Sequence, residues 1–211
     1  MSSTSRKDGG RKPAKRKPLD EVALRDLALS YAARFATTGA KLEAYLARKI
    51  RERGVAEDED GRTRDLDVAG LVNRLIELGY VDDDAYARSR SRDLTSRGYG
   101  KRRVEQALWA AGVDEKVRAD NAPGKAEGRR AAILLARKRG FGLFGRKIDP
   151  ESPVDEQRAA KEKQIAAMLR AGHDFDAVRF IINASATSEI DEWLAEAEAD
   201  EADNQEGFGS W

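Results

Sequence analysis

Residues 82–124 read DDDAYARSRSRDLTSRGYGKRRVEQALWAAGVDEKVRADNAPG, and this stretch decides the fold. Asp82 to Asp84 supply N-cap chemistry and dipole-favoured charge for a helix running to about Ser96. Arg97-Gly98-Tyr99-Gly100 interrupts it. A second helix spans Lys101 to Ala111, with Val104, Ala107, Leu108 and Ala111 spaced to face inward. Gly112 ends it at the C′ position, where glycine meets no steric penalty. Asp114 then opens a short third helix that Pro123 and Gly124 close. The unit is thus three short helices punctuated by glycine.

The same grammar extends in both directions. Upstream, Leu24, Leu27, Ala28, Tyr31 and Phe35 form one helical stripe, Leu42, Tyr45, Leu46 and Ile50 a second, and Val68, Leu71, Val72, Leu75 and Leu78 a third. Thr37-Thr38-Gly39 separates the first pair and the acidic segment 54–67 the second. Downstream, helices are expected from Lys125 to about Gly140, Asp155 to Ala171 and Asp174 to Asn183. Ala111-Gly112-Val113-Asp114 before Val117-Arg118 matches Ala171-Gly172-His173-Asp174 before Val178-Arg179, so one joint is used twice. No segment alternates as a half-buried strand does. The expectation is an all-α chain, an elongated curved array of three tandem three-helix repeats at 19–80, 81–123 and 124–186. A basic tail (1–18) reads as a solvated, disordered extension, a nonspecific phosphate-binding arm being the alternative, and an acidic helix and tail (187–211) place Ile190, Trp193, Leu194 and Ala197 on one side. The loop 140–153, GFGLFGRKIDPESP, is longer than a compact fold needs; Phe141 and Phe144 are expected to tuck into the core, exposed contacts being the alternative.

Charged residues make up 36% of the 211 residues, well above an ordinary globular share, so much of the surface is ionic. The net charge of +1 conceals a separation along the chain. Residues 1–18 carry seven cations against Asp8, a net +6, and residues 189–211 carry nine acids and no Lys or Arg, a net −9, which leaves the body at +4. No cysteine is present, which excludes disulfides and thiolate chemistry and fits a reducing cytoplasm. Apolar runs fall far short of the ~20 residues that cross a bilayer, and no apolar segment follows the basic amino terminus as in a secretory signal.

Catalytic readings lack parts. His173 is the only histidine, it replaces Val113 of the internal repeat, and it reads as structural rather than as a ligand or base. No phosphate-binding G-x-x-x-x-G-K-[ST] loop exists, and Glu57–Asp60 and Asp82–Asp84 read as a solvated loop and a helix cap rather than a metal centre. No enzyme activity, metal or cofactor is expected.

Cations make the positive case. Arg88, Arg90, Arg92, Arg97, Lys101, Arg102 and Arg103 stand against Asp93, a local +6, with Arg88 and Arg92 on one helix face. Lys101 to Arg103 occupy a helix first turn, where cations oppose the macrodipole; an anionic partner at that corner, phosphate above all, would explain the placement. A second cluster, Lys125, Arg129, Arg130, Arg137, Lys138, Arg139, Arg146 and Lys147 against Glu127, gives +7. A solvated face is the bland alternative for both. Tyr99 lies between the basic helices. For Trp109 core or boundary packing is expected, with stacking on a base or partner as the alternative, and Tyr80 and Tyr86 read as structural. With so few aromatics, nucleic-acid contact should be sequence-tolerant and salt-sensitive. The acidic end is complementary to the basic clusters, and folded back on them it would act as a brake.

The run Leu75-Ile-Glu-Leu-Gly-Tyr-Val-Asp-Asp-Asp-Ala-Tyr-Ala-Arg88, continuing to Arg97-Gly-Tyr-Gly-Lys-Arg-Arg-Val-Glu-Gln-Ala-Leu108 and Gly112-Val-Asp, closely resembles the centre of the RecX family. Ala40-Lys-Leu-Glu-Ala-Tyr-Leu46 with Arg53-Gly54, and Lys163 to Gly172 with Phe175 and Val178-Arg179, look like its flanking repeats, so the resemblance covers about residues 20–184. It implies three three-helix repeats in a cytoplasmic, non-catalytic protein; a monomer is expected. It also implies inhibition of RecA through the groove of its filament on single-stranded DNA. The family's basic central surface falls on Arg88, Arg92, Arg97, Lys101, Arg102 and Arg103. The expected contact set adds Tyr99, Arg129, Arg130, Arg137, Lys138 and Arg139. The basic tail, the 140–153 loop and the acidic end lie outside the resemblance.

Overall fold

The computed structural model describes residues 17–63, 65–145, 151 and 153–207. The sequence readings of the tail at 1–16, of Arg146 and Lys147, and of the chain end at 208–211 lie outside the described residues. The chain is all-helical and built as three three-helix repeats. The first holds α1 (Glu21–Ala32), α2 (Gly39–Arg53) and α3 (Val68–Glu77). The second holds α4 (Asp83–Ser96), α5 (Lys101–Trp109) and α6 (Glu115–Asp120). The third holds α7 (Lys125–Arg139), α8 (Val154–Arg170) and α9 (Phe175–Asn183). A further helix, α10 (Thr187–Gly207), follows and runs beyond the expected end near Asp203. The chain divides after Val81 into two compact units.

In the unit that ends at Val81, helix starts follow from side-chain caps. Asp20 accepts from the Ala23 amide (2.7 Å), Thr38 from Lys41 (3.2 Å) and Asp67 from Gly70 (2.7 Å). The apolar stripes converge on a core of Leu24, Ala28, Leu42, Leu46, Val72 and Leu75, with Leu19 held over it by paired bonds to Gly54 and Ala56. Leu19–Val55 and Glu57–Thr63 are isolated bridges, the strand-like pairing that the all-helix reading did not foresee. Tyr31 stacks on Tyr45 with centroids 4.2 Å apart. Phe35 and Tyr80 depart from expectation: α1 ends at Ala32, which leaves Phe35 in the following turn, and both rings are exposed.

In the unit that begins at Asp82, the repeated joint takes one geometry twice. Gly112 and Gly172 adopt φ +74° and +94°. The next amide, Val113 or His173, then reaches back to Leu108 (3.1 Å) or Met168 (3.3 Å), the Schellman closure of a helix end. This turn drives Val113 and His173 into the core, where both are buried. Asp114 and Asp174 restart the chain by capping Lys116 (2.9 Å) and Ala177 (2.8 Å). Val104 and Leu108 pack with Ala87 and Leu94 in the second repeat; Ala132, Met168, Val178 and Ile181 form the core of the third. Full burial of each large aliphatic contributes about 1.5–3 kcal/mol. Phe141 and Phe144 pack against the latter core as expected, around a 3-10 turn at Gly142–Phe144, and Tyr86 is half-buried against the former.

The second and third repeats are clamped through backbone. The break between α4 and α5 seats against the joint between α8 and α9: Gly100 donates to Ala171 (2.9 Å) and Arg102 to Gly172 (3.1 Å). His173 Nε2 donates to the Gly98 carbonyl (3.0 Å). A β-carbon on Gly100 would lie 2.4 Å from the Gly172 oxygen, and one on Gly172 would lie 2.4 Å from the Arg103 nitrogen. Burial of the His173 ring lowers its pKa below 6.5, against smaller raising effects of the Gly98 hydrogen bond and Asp174, and keeps it neutral for a structural role.

Candidate polyanion-binding surface

The joint changes the electrostatic reading of α5. Its N-terminus has no side-chain cap, but the Arg102 amide is satisfied by Gly172, and the carbonyl end of α8 faces the amide end of α5. The negative helix end offsets what Lys101 to Arg103 would otherwise oppose. The placement of these cations therefore has a reason within the fold besides an anionic partner: the Gly172 carbonyl meets the Arg102 amide. The three side chains remain exposed, and among the described residues none forms a salt bridge.

Clamping also gathers cations that are far apart in sequence. A groove of about 340 Å³ is lined by Arg97 and Tyr99 from the α4–α5 break, Lys138 and Arg139 from the last turn of α7, and Arg170 from the end of α8; among the described residues no carboxylate lines it. The Arg97 guanidinium lies 5.8 Å from the Tyr99 ring centroid and 3.5 Å from Asp93. Cations in the last turns of α7 and α8 complement the helix dipoles, so their placement is locally favourable. Arg137 turns aside to cover the Phe144 ring, 5.2 Å from its centroid. Arg170 is the residue that sequence reasoning missed. Its one signal was its place just before the repeated joint.

Other expected contact residues fall elsewhere. Arg88 pairs with Asp84 one turn back on α4, and neither Arg88 nor Arg92 lines the groove. Lys101 and Arg102 line a second cavity of about 560 Å³ with Gly124, Lys125, Arg129 and Phe180. Arg129 is largely buried: it donates to the Trp193 carbonyl, pairs with Glu196 at 2.9 Å and lies 4.4 Å from the Trp193 centroid. Arg130 pairs with Glu198 at 2.8 Å. Trp109, expected at a core boundary, is 70% exposed on α5, because one position beyond Leu108 turns it away from the Val104/Leu108 face. It lines a small cavity with Arg102, Glu105, Gln106 and Arg118. Among the described residues no group of three or more His, Cys, Asp or Glu could hold a metal ion. Nor, among them, is any helix long and apolar enough to cross a membrane.

Known proteins share this organisation. The family description "RecX, second three-helix domain" matches residues 82–120, which are α4 to α6 with the cap Asp82. The regulatory protein RecX of Myxococcus xanthus is 28% identical over 179 residues, covering 83% of this chain and 92% of that protein. The regulatory protein RecX of a Mycobacterium species is 35% identical over 102 residues, 47% of this chain and 51% of its own. The crystal structure of RecX from Lactobacillus salivarius superposes with a TM-score of 0.56 at 21% identity, over 76% of this chain and 93% of that one, a likeness of fold. The glycine-punctuated central repeat, the near full-length relative and the shared helical architecture agree in their likeness to the RecX family, whose second three-helix domain matches residues 82–120.

Proposed function

We propose that this protein is a negative regulator of the RecA recombinase that lies in the groove of the RecA filament and contacts its single-stranded DNA. It acts by binding, as a monomer in the cytoplasm, without catalysis or cofactor. One observation carries the reading: Arg97, Lys138, Arg139 and Arg170 border a groove that no carboxylate lines among the described residues, and Lys101, Arg102 and Arg103 on the following helix are exposed. Such a surface suits a polyanion and reads no base edges, so binding is sequence-tolerant and weakens with salt. A nucleoprotein filament offers phosphates and protein along one groove. The name shared by the relatives, regulatory protein RecX, supports this partner over naked nucleic acid.

The deciding experiment adds the full chain to RecA assembled on single-stranded DNA and follows strand exchange and ATP hydrolysis. Inhibition at protein well below RecA stoichiometry is expected. No effect at any ratio refutes the RecA reading. Inhibition only at protein levels that coat the DNA would instead favour a nonspecific helical nucleic-acid binder, which the same cations would also serve.

A further inference from the structure

The acidic end of the chain occupies a cationic surface. Helix α10 lies along α7 and is fixed in two different ways. Its first half is held by apolar contact: Ile190 and Ala197 are buried, Trp193 stacks on Phe180 with centroids 4.7 Å apart, and Leu194 packs on the same core. Its second half is held by charge. Asp200 meets Lys125 at 2.7 Å, Glu198 accepts from both Nε (3.0 Å) and Nη2 (2.8 Å) of Arg130, and Glu201 accepts from the Ala126 amide (2.9 Å). The Lys125 hydrogen bond and charge hold the Asp200 carboxyl below its usual range.

These are the groups that bind phosphate. An amide in the first turn of a 15-residue helix, a lysine at its first position and an arginine offering two N–H donors form a ready anion cradle. Here the cradle holds carboxylates from the same chain. Gly124 provides no side-chain cap, and a β-carbon there would lie 2.5 Å from the Glu201 carboxylate, so glycine makes room for the incoming acid. The cradle is continuous with the cavity that Lys101 and Arg102 line together with Asp174 and Asp176, since Gly124 and Lys125 border both.

The geometry points to a second single-stranded nucleic-acid site at the start of α7, formed by Lys125, Arg130 and the Ala126 amide, which the end of α10 masks as an internal polyanion. The strand displaces Glu198, Asp200 and Glu201, while the apolar half of α10 stays seated. The masked site is weak until a high local concentration of phosphate competes it open. It extends the surface proposed above but does not require RecA.

The test therefore contains no recombinase. The full chain and its Glu198→Gln, Asp200→Asn, Glu201→Gln variant are titrated against a labelled oligo-dT at several salt concentrations. Two freed cations, at about 0.7 each for single strands, steepen the slope of log affinity against log salt by about 1.4. From about 200 to 50 mM salt the variant should gain about sevenfold more affinity than the parent. Adding Lys125→Gln and Arg130→Gln should erase that gain, and a chain ending at Ala197 should reproduce it, which covers misfolding of the first variant. An unchanged or weaker affinity overturns the proposal. So does a gain that survives loss of Lys125 and Arg130, since it would come from net charge alone. A gain on poly-glutamate with none on oligo-dT overturns it in favour of an acidic protein segment.

Discussion

Replacement of Gly100 by alanine tests whether the clamp between the second and third repeats is a rigid device. Gly100 has φ −84°, so alanine there meets no backbone penalty, but its β-carbon would lie 2.4 Å from the Gly172 oxygen and 2.6 Å from the His173 nitrogen. Both are backbone atoms of a tight turn and cannot rotate aside. Relief requires the repeats to part and release three hydrogen bonds: Gly100 to Ala171, Arg102 to Gly172 and His173 to Gly98. At about 0.5–1.5 kcal/mol each, the loss is about 2–4 kcal/mol. For a unit of this size that lowers its melting temperature by roughly 8–15 °C. Gly79→Ala is the control, because Gly79 has φ +74° with no atom within 4 Å of a β-carbon; it should cost only the left-handed penalty of about 1–2 kcal/mol. Circular dichroism at 222 nm gives the melting shift, and hydrogen exchange at the Gly100 and Arg102 amides locates it. A Gly100→Ala protein within about 1 kcal/mol of the parent, with those amides still protected, refutes the rigid clamp.

Three further outcomes follow from named side chains. His173 is neutral and buried, with its pKa below 6.5; the unfolded chain therefore binds the extra proton first, and stability falls as pH drops below about 6.5. Since it is the only histidine, His173→Gln should flatten urea-midpoint changes just below that pH, and a parent-like profile would exclude it as the source. Arg102→Glu with Arg103→Glu, both exposed, should weaken oligo-dT binding and reduce the salt slope by about 1.4 without changing the melting temperature; an unchanged slope removes these side chains from the phosphate contacts. Trp109→Ala should alter stability by less than about 0.5 kcal/mol in a denaturant titration, because the ring is mostly in water, and a loss of several kcal/mol would mean that it packs against something.

Local chemistry was sufficient for the helices and their ends. Asp82, Asp114 and Asp174 cap where their positions before apolar stripes said they would, and Gly112 and Gly172 close helices because only a residue without a β-carbon adopts their φ freely. The repeat was legible for the same reason: one joint, written twice, folds the same way twice. The resemblance in residues 75–114 was likewise carried by contiguous residues.

What needed tertiary structure is the state of each charge. Composition counts Arg129, Arg130 and Lys138 alike, yet the first two meet carboxylates 67 and 68 residues later on α10, while Lys138 joins Arg97, Tyr99 and Arg170 in a groove. What offsets the cations in the first turn of α5 was not legible, because the carbonyl of Gly172 lies 70 positions away from Arg102 and carries no side chain to betray it. Amphipathic periodicity says which face of a helix is buried, but not what covers it. The sequence alone determined an all-helical, glycine-jointed repeat rich in cations; only the packing of α7, α8 and α10 decided which cations meet carboxylates of the same chain and which line an open groove.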